Sequence, residues 1–374
     1  MNMSIEGAIF HGLADEWGPS KVIHLYEPLV PLQAIVVIDN IALGPAIGGV
    51  RLAAEVTTEE VFRLARTMTW KNAAAGLPHG GGKAGIRLAV DSPPELKERA
   101  IRAFANAIAD LREYIPGPDM GTDETHMAYI YDEIGRSVGR PKVTGGIPLD
   151  EIGVTGYGLM IAAEVLASHI GLNLLGARMV IQGYGNVGKA AAFFLGQKGA
   201  VLVAASDRAG AIYNPQGIDI NRLTTIKKAG GKVLDYREAE IIPPETLFAL
   251  PCELLIPAAR PDVITTNNMD QIKAPLVLQG ANLPVTPDAE KYLHDKGICT
   301  IPDFIVNAGG VICCAVEHHG GPEIEAFQTI ATKIQDNIQA LWPMIQEEKL
   351  YPRAAAFRLA QIRVKEAQKY RRRF

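Results

Sequence analysis

The stretch "IQGYGNVGKAAAFFLGQKGAVLVAASD" constrains the fold more than any other, because it sets Gly183-x-Gly185-x-x-Gly188 between two runs that read as buried strands. "ARMVIQG" leads into the glycines, a helix is expected to leave them near Asn186, and "AVLVAASD" ends at Asp207, 19 residues after Gly188. Glycines so placed let backbone approach a pyrophosphate at a helix N-terminus, and a carboxylate at the second strand's end accepts from adenosine ribose hydroxyls. The reading is a dinucleotide site built on Gly183, Gly185, Asn186, Val187, Gly188 and Asp207. Asp207 repels a 2'-phosphate, which favours NAD, whereas Arg208 beside it is placed to hold that phosphate, so NADP stays open.

"CELLIPAA" and "PLVLQGAN" are two more buried-strand candidates, and their alternation with helical segments from about residue 151 argues for a parallel sheet flanked by helices. Upstream, "QAIVVIDNIAL" is strand-like. "TTEEVFRLARTMTWKNAAAG" reads as a helix with Thr57 and Glu60 as a capping box and Val61, Leu64, Ala65 and Met68 at helical spacing. "SPPELKERAIRAFANAIADLREY" reads as another, with Ser92 as N-cap and Pro93 in the first turn. Between them "PHGGGKAG" reads as a glycine loop followed by strand-like "GIRLAV", which puts Lys71 at a helix end and Lys83 across the loop, both able to point into one cleft. A chain of 374 residues with 48% apolar content has material for two cores.

Several classes are excluded by what is sparse. The net charge of −4 and a single short basic run, Arg371-Arg372-Arg373, argue against nucleic acid as partner. "MNMSIEGAIFHGLADEWG" lacks the basic start and apolar core of a targeting segment, and no apolar run approaches the ~20 residues that span a bilayer, so a cytoplasmic protein without a membrane partner is expected. The four cysteines are scattered without a CxxC; Cys313-Cys314 reads as small core residues, His318-His319 as a polar segment, and no metal is assigned.

Taken in order, "GPAIGGVRL", "MTWKNAAAGLPHGGGKAGI", "PGPDMGT", "TGYG", "GYGNVG" and "PDFIVNAGGV" resemble the glutamate/leucine/phenylalanine/valine dehydrogenase family, from about residue 20 to the C-terminal helices. The resemblance implies an α/β protein of two domains: an N-terminal α/β substrate-binding and oligomerisation domain (1–150) and a Rossmann-like doubly wound NAD-binding domain (151–335), with C-terminal helices (336–374) packing back on the first. It implies reversible oxidative deamination of an L-amino acid to a 2-oxo acid and ammonia with hydride transfer to NAD, and a homo-hexamer or homo-octamer. By motif position Lys71 resembles the lysine that binds the substrate α-carboxylate, Lys83 the catalytic lysine and Asp119 the carboxylate that shuttles protons. Thr155, Ala258 and Asn282 fall on cofactor-neighbouring positions, and Gly48 and Asn307 on substrate-neighbouring ones; the two asparagines are equally readable as turn amides. A free lysine is too basic to serve near neutral pH, so burial beside a second cation, Lys71, is expected to lower the Lys83 pKa while Asp119 pulls it up.

Ile47 departs from the glutamate-type pattern, which carries a lysine there to meet the substrate γ-carboxylate, and Cys314 stands where glutamate-type members tend to show a hydroxyl. An apolar substrate of leucine, valine, isoleucine or phenylalanine type is therefore expected, since a carboxylate buried without a partner costs several kcal/mol. Three features favour glutamate or another polar substrate instead: His79 at a usually apolar position, the segment "SDRAGAIYNPQGID", and Arg51 or Arg87 as substitute cations. A catalytically silent nucleotide-binding subunit is the reading from another functional class.

Overall fold

The computed structural model describes residues 12–30 and 32–371; the targeting-signal reading falls partly, and Arg372 and Arg373 wholly, outside them. The chain divides into two compact units, Met1–Pro148 with Val311–Ala326 and Phe357–Phe374, and Leu149–Gly310 with Phe327–Ala356. The C-terminal region is thus shared between the two units and does not form one block from residue 336. No helix among the described residues is long and apolar enough to cross a membrane.

The first unit is built on five strands, β1 (Lys21–Glu27), β2 (Leu32–Asn40), β3 (Ala46–Leu52), β4 (Gly80–Ile86) and β5 (Tyr114–Pro118), in the order β1-β2-β4-β3-β5. β3 runs parallel to β4 and β5, while β2 is antiparallel to β1 and β4. β2 is apolar on both faces because it is covered on both. Ala34, Val36 and Ile38 pack with Ile101, Phe104, Met127 and Ile130, from or beside α2 (Pro94–Ala107) and α3 (Glu124–Ile134). The alternate residues Ile35 and Val37 pack with Val61, Phe62 and Ala65 of α1 (Thr58–Ala74).

Two local expectations need correction. Thr57 Oγ1 does accept from the Glu60 N–H at 3.2 Å, but the Glu60 carboxylate turns to Arg51, so the reciprocal arm of the capping box is missing. α2 starts one residue later than read, with Pro93 at the N-cap and no side-chain cap, because consecutive prolines hold Pro93 extended and preset Pro94 for the first turn.

The larger correction concerns the glycine run, which is no loop. Gly80-Gly81-Gly82 opens β4, a strand buried along its whole length between β2 and β3. A Cβ on Gly81 would lie 2.0 Å from the Thr69 backbone nitrogen of α1, so the glycine is what lets the helix lie directly on the strand.

The second unit carries β6 (Arg178–Gln182), β7 (Val201–Asp207), β8 (Gly210–Tyr213), β9 (Glu240–Ile242), β10 (Leu254–Pro257), β11 (Leu276–Leu278) and β12 (Cys299–Ile301), in the order β12-β11-β10-β6-β7-β8-β9. The five strands from β12 to β7 are parallel, as expected for a Rossmann-like sheet. β8 and β9 extend it antiparallel, because the chain reverses tightly after Asp207. α4 (Val154–Ile170) and α5 (Asn186–Gln197) pack on each other and on the sheet, followed by α6 (Ile220–Lys228), α7 (Pro287–Asp295) and α8 (Asp303–Val306). Val180, Val203, Leu255 and Val277 of four neighbouring strands share a core with Ala289 and Leu293 of α7. The remaining helices are α9 (Gly309–His318), α10 (Glu323–Gln346) and α11 (Pro352–Gln368).

Replacing Gly81 by alanine is expected to destabilise the protein by about 3 kcal/mol or more, since backbone rather than a flexible side chain meets the added methyl. Denaturant midpoints for Gly81→Ala and wild type check this; a loss of less than about 0.5 kcal/mol, the usual range for a neutral surface change, contradicts the close packing.

Candidate active site and dinucleotide site

In β4 the even residues Ala84 and Ile86 join the core under α2 and α3, so strand alternation sends Lys83 to the α1 face. Ile47, Gly49 and Arg51 of β3 share that face by the same alternation. Only 7% of the Lys83 side chain is exposed, and its Nζ lies 3.2 Å from Asp119 Oδ2, just past β5. Arg51 Nε donates to the same oxygen at 2.9 Å, and its NH1 reaches Glu60 Oε1 at 2.6 Å. The Asp119 N–H donates to Thr122 Oγ1 at 3.0 Å, and that hydroxyl donates to Val50 O at 2.8 Å, which fixes the turn that presents the carboxylate.

Burial is the main force on Lys83 and pulls its pKa below the ordinary 10.5; the Asp119 carboxylate pulls back, and the Arg51 charge adds to the lowering. Arg51 is thus a cation pressing on Lys83. Lys71 stands half-buried in the last turn of α1. Its neighbour Asn72 ties that turn to the sheet, with Nδ2 donating to Gly80 O at 2.6 Å and Ile47 O at 3.3 Å.

Ile47 and Cys314 are both buried. Gly48 has a packing role of its own, since a Cβ there would stand 1.6 Å from Gly82 O. Arg51 is held by two carboxylates and Arg87 donates to Val56 O at 2.9 Å, so neither substitute cation is idle. His79 sits in a cluster of imidazoles. Its Nδ1–H donates to Pro45 O at 3.1 Å, which leaves Nε2 to accept from His319 Nε2–H at 3.2 Å, and its ring meets His318 edge-on at 5.5 Å. Burial drives the His79 pKa to about 4 against the Pro45 hydrogen bond, and the neighbouring histidines add to that, so the ring is neutral. His318 lies one helical turn past Cys314 and so shares its face of α9. Sequence gave no signal for this cluster, because His79 and the His318-His319 pair are remote in the chain. Among the described residues no three His, Cys, Asp or Glu groups are arranged to hold a metal.

In the second unit the glycine motif forms the turn expected of it. Gly183 has φ 97°, and a Cβ there would lie 2.7 Å from Ala259 N. α5 begins at Asn186 with Gly185 as an N-cap that offers no side-chain hydrogen bond, so its first N–H groups have no capping side chain. A cavity of about 770 Å³ opens there, lined among others by Gly183, Gly185, Asp207, Lys227, Lys232 and Arg260. A Cβ on Gly185 would meet nothing within 4 Å, and the buried Gln182 Oε1 on the cavity wall has no hydrogen-bond partner. Open space, an uncapped helix N-terminus and several cations fit a dinucleotide phosphate group, and the unpaired Gln182 acceptor fits a hydroxyl or amine donor of the same cofactor.

Asp207 is more engaged than the sequence implied. Burial opposes its ionisation, yet Lys227 Nζ and the N–H groups of Val233 and Ala209 all donate to it and hold its carboxyl below the ordinary value. Lys227, in the last turn of α6, thus offsets the charge on which an NAD preference rests.

The remaining residues read as cofactor- or substrate-neighbouring make local contacts within the second unit. An ideal Cβ on Gly280 would lie 3.1 Å from the Ala258 Cβ and 3.3 Å from Val187 Cγ1. Asn307 Nδ2 donates to Asn282 Oδ1 at 3.2 Å and Ala281 O at 3.1 Å. Thr155 is in the first turn of α4, its Oγ1 3.6 Å from where a Gly310 Cβ would be.

Comparison with known proteins agrees with this geometry. The family model described as glutamate/leucine/phenylalanine/valine dehydrogenase matches residues 145–372, and its companion dimerisation domain matches residues 27–136. The glutamate dehydrogenase of Aeropyrum pernix is 39% identical over 356 residues, covering 89% of this chain and 85% of the relative. The NADP-specific glutamate dehydrogenase of Saccharolobus shibatae is 37% identical over 292 residues, covering 74% of this chain and 69% of the relative. The hetero-hexameric glutamate dehydrogenase of Thermus thermophilus, in its Leu-bound form, superimposes with a TM-score of 0.84 at 29% identity, covering 99% of this chain and 96% of that one. Two family models together spanning most of the chain, with a buried lysine paired to a half-buried aspartate in one unit and a dinucleotide-type glycine turn in the other, lead to one conclusion: the chain belongs to the glutamate/leucine/phenylalanine/valine dehydrogenase family and is an NAD(P)-dependent amino acid dehydrogenase, an oxidoreductase acting on CH–NH2 donors.

Proposed function

We propose that the protein oxidatively deaminates L-glutamate, or a close polar analogue, with Lys83 and Asp119 as the proton-handling pair. The observation that carries the chemistry is the buried Nζ–Oδ2 contact of 3.2 Å. Lys71 binds the substrate α-carboxylate in this reading, with Asn307 and Gly48 beside the substrate. The nicotinamide cofactor, when bound, takes the Cα hydride. Asp119 takes one proton from the substrate ammonium, and loss of the hydride from Cα then leaves the substrate as an iminium. Neutral Lys83 takes a proton from water as its oxygen bonds to Cα, giving a carbinolamine. Asp119 returns its proton to the nitrogen and takes the hydroxyl proton as the C–N bond breaks, so that 2-oxo acid and ammonia leave with one proton left on Lys83 and one on Asp119. Thr155, Asn186, Val187, Ala258 and Asn282 hold the cofactor in this scheme.

Similarity to glutamate dehydrogenases over most of the chain supports the polar substrate. Ile47 then requires the γ-carboxylate to be met by a hydrogen-bond donor other than a cation at 47, and His318, in the imidazole cluster, is the group we assign. A second reading, an apolar amino acid such as leucine, is favoured by Ile47 and Cys314, both buried and uncharged. Both cofactors are expected to serve, because Lys227 neutralises Asp207 and Lys232 and Arg260 add positive charge to the cavity. A cytoplasmic homo-hexamer or homo-octamer is proposed as the assembly; exposed Tyr26 and Leu29, on and beside edge strand β1, are apolar surface available for subunit contact.

The substrate test is initial rates with L-glutamate and L-leucine, each with NAD and NADP, for wild type and His318→Leu. Glutamate is expected to be the better substrate with either cofactor, and His318→Leu to lower its kcat/KM tenfold or more while sparing leucine. Leucine faster than glutamate in wild type moves the assignment to the second reading, and no turnover with any amino acid leaves only the silent subunit.

The lowered Lys83 pKa has a stability consequence. Between the folded value and 10.5 the unfolded chain binds the extra proton, so wild-type stability rises with pH across that window. Lys83→Met removes this term. Urea midpoints are expected to show wild type gaining on Lys83→Met as pH rises toward 10.5; a gap that is constant, or that moves the other way, contradicts the lowered pKa.

A further inference from the structure

The segment Gln279–Leu283 carries Asn282 and is held at both ends by buried carboxylates. At its start Gln279, fully buried, donates from Nε2 to Glu290 Oε1 at 2.7 Å and to Thr300 Oγ1 at 3.2 Å. At its end Leu283 adopts φ 49°, a left-handed conformation that a leucine does not choose by itself, and its N–H donates to Asp303 Oδ2 at 3.0 Å. In between, the Gly280 and Ala281 N–H groups both donate to Pro257 O at 3.0 Å.

One side chain joins the two anchoring carboxylates. Arg353, in the first turn of α11, donates through Nε and NH2 to the two oxygens of Glu290 at 2.5 and 2.6 Å, and through NH2 to Asp303 Oδ1 at 3.0 Å. The Glu290 and Asp303 side chains are only 8% and 6% exposed, so without the guanidinium two carboxylates would be buried in one place without a cation between them. A lysine would supply the charge but not the planar fork that reaches both partners at once. Asn307, meanwhile, donates to Asn282 Oδ1, which leaves the Asn282 amide hydrogens as the group presented outward from this segment.

We propose that Arg353 is a positioning residue for the cofactor: through Glu290 and Asp303 it fixes both ends of the Gln279–Leu283 segment and so holds the Asn282 amide where it meets the nicotinamide half of the dinucleotide. The inference rests on the reading that Asn282 touches cofactor. Arg353 lies 63 and 50 residues along the chain from Glu290 and Asp303, and none of the three lines the cavity at Asp207 and the glycine turn.

The test uses the full-length protein and two ligands, the reduced dinucleotide and ADP-ribose, which lacks nicotinamide. Dissociation constants are measured for wild type, Asn282→Ala, Arg353→Lys, Arg353→Gln and the double variants with Asn282→Ala. Arg353→Lys and Arg353→Gln are expected to weaken the dinucleotide roughly tenfold while leaving ADP-ribose within twofold, and to add less than twofold to the loss already present in Asn282→Ala. Equal losses for both ligands, or losses that multiply with Asn282→Ala, overturn the proposal and make Arg353 a general structural group. An Asn282→Ala variant that binds both ligands like wild type sinks the underlying reading of Asn282 instead. If Arg353→Gln does not fold, Arg353→Lys alone decides, because it keeps the buried charge and removes only the fork.

Discussion

The structure of the first unit turns on one buried ammonium. Lys83 lies in the middle of a central strand, covered by a helix, where an unpaired charge has no water to solvate it. It is tolerated because Asp119 reaches it from the end of β5 and because Arg51, on the neighbouring strand, in turn holds Asp119. This leaves Lys83 less basic than a surface lysine. The lowered basicity of Lys83 and its contact with Asp119 are thus set by packing, and the packing is set by glycines that let α1 lie on β4.

The second unit solves a different problem, presenting backbone and cations to an anion. Its glycine turn, uncapped helix and basic cavity need little side-chain precision. At the segment that carries Asn282, by contrast, a buried network of two carboxylates, a glutamine and Arg353 holds the backbone. Both units therefore hold buried charge pairs at the segments we assign to function, and among the described residues no group of three His, Cys, Asp or Glu is arranged to hold a metal.

Much of this was legible in the sequence where the determinants are local. The βαβ pattern, the helix start at Asn186, the α1 cap at Thr57 and the two-sided apolar β2 follow from spacing and residue type alone. The glycine run was misread as a loop because three glycines look like a turn until a helix is known to press on them from Thr69. Arg51, Lys227 and Arg353 could not be assigned their partners, since each acts across 20 or more residues on a carboxylate in another element. The pairing of Lys83 with Asp119 was available only from resemblance; nothing in the spacing of 83 and 119 indicates contact.

The central claim is that the Lys83 amine itself is the base, made effective by a lowered pKa. The most direct measurement converts Lys83→Cys to the aminoethyl thioether with 2-bromoethylamine, verified by mass, and follows kcat/KM against pH beside wild type. The thioether amine is less basic than that of lysine, so recovered activity whose acid limb lies at lower pH than in wild type is the predicted result. No recovery, or a recovered limb at the wild-type position, would contradict the account.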